Sequence, residues 1–272
     1  MIRTLISILC LMFAWPTFAE EKEGGIIGTG VIGQITALDE FEVSGMRFDF
    51  ASDIELKGLS KLEDLRMGMT LALSTGRDGA SWQIKTLQHM PILTGPITAP
   101  GEVMGVPITG ALPNSGTVQI DGFWSKDGIV ASRIVEVQQD NVQISGIYDE
   151  LGLVGQVPVR GAGLTGLAAG KTVSISGQFE NGVIVMDTAM EGPFMGSSPD
   201  LVLLEGYFQP MAASNSLSLQ GVAIASAEGE RDVGLDQLVR RCSLSGRIDF
   251  LLSDLTQSDA ELVKSFCISA SN

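Results

Sequence analysis

The feature that most constrains the fold is a pair of strand-like segments, joined by a tight-turn signal, that recurs along the chain. Segments 70–76, 117–122 and 172–177 each alternate apolar and polar residues and stop at glycine, the pattern of a half-buried strand. Second strands are predicted over 81–87, 129–137 and 183–189. The turn between them carries Asp78-Gly79, Asp127-Gly128 or Asn181-Gly182, dipeptides that accept positive φ. Because these turns recur about every 50 residues, the sequence predicts tandem small β modules.

Upstream of each hairpin the copies agree again. A short strand is predicted just after a turn at Gly45, Gly105, Gln156 and Gly221. The opening strands carry a central glycine, where a small barrel needs a sharp bend. These glycines are Gly33, Gly95, Gly146 and Gly206.

A helical turn is predicted before two of the hairpins. Segments 62–71 and 164–173 share leucines three residues apart, and Gly68 and Gly170 are placed as helix C-caps. Ser60 and Glu63 have capping-box spacing at the first turn. The second copy has Leu112-Pro113-Asn114-Ser115-Gly116 instead, which predicts a loop.

Three strands, a helical turn and a closing hairpin follow an order similar to that of the OB-fold, a five-stranded Greek-key barrel. The chain also resembles the bacterial domain of unknown function numbered 5666. Three motifs carry the resemblance: Leu62-x-x-Leu65-x-x-Gly68, Val173-x-Ile175-x-Gly177 and Asp127-Gly128-Ile129-Val130-Ala131. It covers most of 30–189 and only loosely 201–250. It implies tandem OB-like modules in an exported protein and brings no catalytic residue with it.

The predicted fold class is therefore all-β: tandem five-stranded OB-like barrels with short helical turns and a C-terminal helix. Modules are predicted at 26–90, 91–138, 139–190 and 200–272. The last module departs most from the pattern. It has a degraded helical turn at 235–238, a predicted strand over 243–252 and a helix from about Asp259 to Phe266, with Ser258 and Glu261 at capping-box spacing.

The first 19 residues have the pattern of a secretory signal peptide. Arg3 supplies the positive end, 5–15 is an apolar run too short to span a bilayer, and Thr17 and Ala19 place small residues before the cleavage point. We expect cleavage after Ala19 and a periplasmic or secreted protein. No later apolar run reaches membrane-spanning length, so no membrane span is predicted.

Cysteine content agrees with export. Removal of Cys10 with the signal leaves Cys242 and Cys267, an even pair in a compartment where disulfides persist. We expect a disulfide that ties the C-terminal helix to the last barrel, with two buried free thiols as the alternative.

Charge limits the classes of partner. A net charge of −15 repels nucleic acid and anionic lipid, and Arg240-Arg241 is an isolated basic pair. We therefore predict no nucleic-acid partner. An unknown envelope protein, a neutral glycan or a cationic partner remains.

Candidate catalytic and cofactor residues are few. His89 is the only histidine and is predicted to lie at the surface, which argues against Ser-His-Asp or Cys-His chemistry. The run Gly28-Thr29-Gly30-Val31-Ile32-Gly33 spells a dinucleotide fingerprint, but a β-like segment follows it where a helix is needed. We predict no cofactor and no strong metal site. Weak calcium binding stays open at the acidic groups Asp39-Glu40-Glu42 and Asp149-Glu150.

Aromatic residues that follow strand glycines offer a possible ligand face. On OB-type barrels an exposed aromatic face stacks bases or sugars, whereas core packing or contacts between modules would bury the same residues. The candidates are Phe123, Trp124, Tyr148, Phe179, Tyr207 and Phe208.

Three function classes follow. The leading one is a non-enzymatic envelope protein that acts as an interaction scaffold or binding module. The second is a carbohydrate or small-ligand binder that uses an aromatic barrel face. The third is an enzyme with an unrecognised carboxylate site, which converging carboxylates in a deep pocket would favour.

Limited proteolysis tests the predicted boundaries. The segment 191–200 contains Gly192-Pro193 and Gly196-Ser197-Ser198-Pro199, which is typical of a linker. We expect the first cut there, detected by mass spectrometry of the fragments, before any cut inside a module. Equal resistance along the whole chain would instead mean that the modules pack as one body.

Overall fold

β-Strands make up most of the computed structural model, and the single α-helix among the described residues lies near the C-terminus, which confirms the all-β fold class. The structure describes residues 28–194, 199–210, 217–224, 235–248 and 250–268. The predicted signal peptide 1–19 and its cleavage after Ala19 lie outside these residues, as does part of the predicted linker.

Barrel 1 is a ring of strands in which the last strand lies between the two strands that precede it in sequence and pairs with both. The strands are β1 (Thr29–Ala37), β2 (Glu42–Val43), β3 (Met46–Arg47), β4 (Asp49–Lys57), β5 (Thr70–Asp78) and β6 (Ser81–His89). β1 pairs with β2 and β5, β2 pairs with β3, and β4 pairs parallel with β6. β3 and β4 are continuous apart from Phe48, so they act as one long third strand.

Barrel 2 closes completely through hydrogen-bonded strand pairs. Its strands are β7 (Leu93–Ala99), β8 (Glu102–Val103), β9 (Val106–Thr109), β10 (Thr117–Ser125) and β11 (Gly128–Val137). The ring runs β7-β8-β9-β11-β10 and returns to β7, with β9 and β11 parallel. This Greek-key connectivity is that of an OB-fold barrel.

Barrel 3 repeats the same strand order. Its strands are β12 (Val142–Ile147), β13 (Leu153–Val154), β14 (Val157–Arg160), β15 (Thr172–Glu180) and β16 (Val183–Glu191). β14 and β16 are the parallel pair, and a bridge between Tyr148 and Val154 closes the ring.

The C-terminal unit is built differently. Its elements are β17 (Leu201–Gly206), β18 (Gln209–Pro210), β19 (Leu217–Leu219), β20 (Val222–Ile224), β21 (Val239–Leu244) and helix α1 (Gln257–Ile268). β18, β19 and β20 form a small sheet, and β17 pairs with β21. Among the described residues of this unit, no strand pairs with both β20 and β21. The strand predicted over 243–252 is wrong, because Ser245 and Gly246 adopt positive φ and turn the chain after Leu244.

The strands predicted from alternation are confirmed, but their glycines have another role. β5, β10 and β15 continue past Gly76, Gly122 and Gly177 instead of stopping there. At Gly122 and Gly177 the partner strand is bulged, and a Cβ would strike the carbonyl of Val130 or Val185. These two glycines therefore permit a bulge that bends the strand around the barrel.

The glycines of the opening strands also make room for a neighbour. A Cβ on Gly33, Gly95 or Gly206 would strike the side chain at the next turn, which is Ser44, Met104 or Gln220. Those turn residues have φ of 54°, 51° and 51°. The glycine thus lets a tight turn fold back over the opening strand.

The predicted helical turns form as short 3₁₀ segments. They cover Leu62–Asp64 and Ala162–Gly166. The prediction of Gly68 and Gly170 as C-caps is wrong, because Leu65 and Leu167 end the turns; the two glycines lie three residues further on, with φ of 78° and 83°. The capping box of Ser60 and Glu63 is wrong, because Lys61 is the N-cap and no side chain caps the turn. Residues 112–116 contain no helix, as expected, and 235–238 forms only a turn.

Opening strands join neighbouring units into continuous sheets. β1 of barrel 1 pairs parallel with β17 from Thr29 opposite Leu201 to Ile32 opposite Leu204. β7 of barrel 2 pairs antiparallel with β12 of barrel 3 at Leu93 and Ile144. One buried core extends across barrels 2 and 3, and another combines barrel 1 with β17 and α1.

Helix α1 packs on barrel 1. Val263 and Phe266 are buried there, and the Phe266 ring meets Trp82 of β6 edge-on with 4.8 Å between the ring centroids. The helix begins earlier than predicted because Thr256, not Ser258, caps it: the Thr256 hydroxyl accepts a hydrogen bond from the Asp259 amide and donates one to its carboxylate.

The predicted disulfide is present. Cys242 and Cys267 are bonded with their Cα atoms 6.0 Å apart, which links α1 to β21 across 25 residues of sequence. The bond therefore fixes the C-terminal unit to a helix that belongs to the core of barrel 1.

The double variant Cys242→Ser, Cys267→Ser should be less stable to denaturant by about 3 kcal/mol, because it frees a loop of this length in the unfolded chain. Urea unfolding followed by tryptophan fluorescence measures the difference, and reduced wild-type protein serves as the matched control. Equal midpoints for oxidised wild type and the double variant would contradict the role of this bond.

Candidate functional site

The structure separates the six aromatic candidates. Phe123 and Phe208 are buried in cores, and Phe179 packs half-buried against the core of barrels 2 and 3. Tyr207 lines a small recess beside Trp124. Only Trp124 and Tyr148 meet at one large cavity, so the six do not form a single aromatic face.

We call this cavity the junction cleft, because three units line it. Its volume is about 520 Å³ and it is open to solvent. Barrel 2 contributes 124–126, barrel 3 contributes 147–151, 155–156 and 169–170, and the C-terminal unit contributes 209–210 and Ser218. The volume falls within the roughly 300–1,000 Å³ range of ligand sites.

Trp124 crosses from barrel 2 into barrel 3. Its indole Nε1 donates a hydrogen bond to the carbonyl of Ser145 at 2.7 Å, and the ring covers Gly146 and Gly155 so closely that a Cβ on either would clash. In barrels 1 and 2, a side chain from a turn covers the glycine of the opening strand. Barrel 3 has Gly155 at the corresponding turn, so no turn side chain covers its opening-strand glycine, Gly146. The gap in barrel 3 is therefore filled by the tryptophan of its neighbour, which forms one wall of the cleft.

The loop after Tyr148 forms the rim. Asp149 Oδ1 accepts hydrogen bonds from the amides of Leu151 and Leu153 at 2.9 and 2.8 Å. This turn holds the Leu151 side chain in solvent, where the residue is 79% exposed. The Leu151 side chain therefore extends the apolar lining of the cleft outward at its rim.

Lys126 connects two sides of the rim. Its Nζ lies 3.1 Å from Asp236 of the C-terminal unit, and the hydrogen bond and negative charge of Asp236 raise the lysine pKa. Lys126, the cation at the rim, is therefore already paired. Burial also raises the pKa of the nearby Tyr207, and the charge of Glu205 raises it to a smaller extent.

Ser218 lies in the lining with its hydroxyl unsatisfied. The residue is 1% exposed, and its Oγ has no hydrogen-bond partner in the described part of the chain. Since a buried polar group without a partner costs about 1–3 kcal/mol, this hydroxyl suits a ligand that brings one.

His89 is not at the surface, so that prediction is wrong. It is 8% exposed, and its Nε2 lies 2.7 Å from Asp121 Oδ1 at the junction of barrels 1 and 2. Arg133 Nη1 donates to Asp121 Oδ2 at 3.0 Å, and the Thr70 amide donates to Oδ1 at 3.1 Å. The histidine is placed inside because Asp121, which is fully buried, needs these partners.

Glu205 is a second buried carboxylate at a junction. The amide of Gln34 and the hydroxyl of Ser44 donate to its Oε2 at 2.9 and 3.0 Å, and Arg240 Nε donates to Oε1 at 3.0 Å. Gln34 and Ser44 belong to barrel 1, whereas Glu205 and Arg240 lie on β17 and β21. The cluster therefore fixes barrel 1 to the C-terminal unit.

Other candidate sites have ordinary surroundings. The glycine run at 28–33 enters strand β1 and opens no helix. Glu40 and Glu42 pair with Arg47, and no group of three potential metal ligands occurs among the described residues. In the same part of the chain, no helix is long and apolar enough to cross a membrane.

Comparison with protein-family models, with curated proteins and with solved structures found no match to this chain. The resemblance to the family of unknown function therefore stays a prediction.

Asp121→Asn should lower the free energy of unfolding by about 3 kcal/mol or more, because it leaves His89 and Arg133 at a junction without their anion. Chemical unfolding measures the loss. Asp127→Asn is the matched control: its side chain is 81% exposed, and we expect a change within about 0.5 kcal/mol. Equal stability of the two variants would contradict the role of Asp121.

Proposed function

We propose that this chain is a non-enzymatic binding protein of the cell envelope, in which the barrels form a scaffold for the junction cleft. The observation that carries the proposal is that three units contribute to one open, largely apolar cavity with an exposed leucine at its rim. Ligand sites commonly lie between structural units and combine apolar walls with a few polar groups. Export to the periplasm or beyond, as the predicted signal peptide implies, places the cleft in contact with envelope components.

The arrangement of buried charges supports binding over catalysis. Asp121 and Glu205 each have partners at both carboxylate oxygens, and those partners join one unit to another. Their chemistry is used to hold the units together. Neither residue is part of the cleft lining.

A second candidate is a carbohydrate binder at the same cleft. The observation that favours it is the position of Trp124 and Tyr148 beside the amide side chains of Gln156 and Gln209. Aromatic rings stack on the apolar faces of sugars, and amides bind hydroxyl groups.

The variant Leu151→Arg should lose the ligand of the cleft, because it puts a long cation where the exposed apolar side chain stands. Purified protein is used to capture material from envelope extract, and bound protein and glycan are quantified by mass spectrometry. Leu38→Arg is the matched control, since Leu38 is 43% exposed on barrel 1 and does not line the cleft. Circular dichroism confirms that both variants fold.

We expect the wild type and Leu38→Arg to capture a common component that Leu151→Arg loses by about tenfold or more. If all three proteins capture the same material in equal amounts, the cleft is not the binding site.

A further inference from the structure

We propose that the junction cleft binds an extended segment of a partner protein in which an apolar side chain is flanked by lysine or arginine. This inference rests on the proposed function and names the chemistry of the partner. It combines the apolar lining, the charge of the rim and the buried hydroxyl of Ser218.

The lining suits an apolar anchor. Ile147, Ala169 and Pro210 complete the cavity wall beside Trp124 and Tyr148, and Leu151 extends it into solvent. An aromatic or branched side chain entering the cavity would bury this surface, and such anchors dominate the free energy of many protein interfaces.

The rim selects positive charge. Glu150 is exposed and has no ion pair in the described part of the chain, and Asp149, the preceding residue, adds a second carboxylate to the lining. Lys126, the only lysine among the described residues of the lining, is paired with Asp236. A ligand at the rim therefore meets net negative charge, and the chain's net charge of −15 attracts cations at longer range.

The Ser218 hydroxyl favours a ligand with a polar backbone. Ser218 lies opposite Gln209 in the β18–β19 pair, and both residues line the cavity. An extended peptide carries both N–H donors and carbonyl acceptors at short intervals, so it can satisfy this hydroxyl while its side chain fills the cavity. A purely apolar ligand would leave the hydroxyl without a partner.

Isothermal titration calorimetry with the full protein tests the proposal. The probe is the acetylated and amidated peptide Ser-Gly-Lys-Phe-Lys-Gly-Ser. In one matched peptide, glutamate replaces both lysines. In the other, alanine replaces the phenylalanine. Cellohexaose serves as a neutral saccharide probe. We expect the Lys-Phe-Lys peptide to bind about tenfold more tightly than either matched peptide, and its affinity to fall as salt is raised.

Variants locate the contact. Glu150→Lys should weaken binding of the Lys-Phe-Lys peptide by about fivefold, because it reverses the unpaired charge at the rim. Glu136→Lys makes the same change at an exposed glutamate of β11 outside the lining, and its affinity should equal that of wild type.

Four results would overturn the proposal, and they separate it from the proposed function. If cellohexaose binds and Leu151→Arg abolishes that binding, the cleft is a ligand site but its ligand is a saccharide. If the Lys-Phe-Lys and Glu-Phe-Glu peptides bind equally, the rim does not select charge. If the peptide binds Leu151→Arg as well as wild type, or no probe binds, the cleft does not recognise such a segment.

Discussion

The pairing of opening strands between neighbouring units is the interaction on which the rest of the structure depends. β1 is hydrogen-bonded to its own barrel on one side and to β17 on the other, and β7 bridges in the same way to β12. Both faces of β1 are consequently buried: Val31 lies in the core of barrel 1, and Ile32 lies in a second core shared with the C-terminal unit. Small barrels that would each have a limited core thus share larger ones.

Buried carboxylates reinforce these junctions and make them specific. A desolvated carboxylate is costly unless several donors satisfy it, so Asp121 and Glu205 favour one relative placement of their neighbours. Barrel 3 is held beside barrel 2 by the pairing of β7 with β12, and there Trp124 covers Gly146 and Gly155. The turn at Tyr148 lines the same cleft as residues of the C-terminal unit. The cleft is therefore a product of how the units join, and no single barrel contains it.

The sequence was most informative about what is local and periodic. Alternation predicted the strands of the three hairpins, and the cysteine pair predicted the bond between Cys242 and Cys267. Glycines within those strands were harder to interpret, because a bulge at Gly122 depends on the carbonyl of a partner strand that periodicity does not reveal.

The site depended on contacts between distant segments and was largely missed. His89 and Asp121 are separated by 32 residues, and Glu205 meets Ser44 across 161, so nothing in the local sequence identified these partners. One signal was available: Asp121 and Glu205 each directly precede a strand glycine in an otherwise apolar segment. Leu151 and Ser218 carried no such signal, because their exposure and burial are set by tertiary packing.

Hydrogen–deuterium exchange on the intact protein tests most directly whether the units form one body that can hold the cleft. The decisive amides are those where β1 pairs with β17 and β7 pairs with β12. The backbone N–H groups on these strand edges are protected from exchange only by contact between the units. The account predicts that 29–32, 93–94, 143–144 and 201–204 exchange as slowly as the interior strands of the barrels. Rapid exchange at these positions, with the hairpins still protected, would mean that the units move independently and that no stable cleft exists between them.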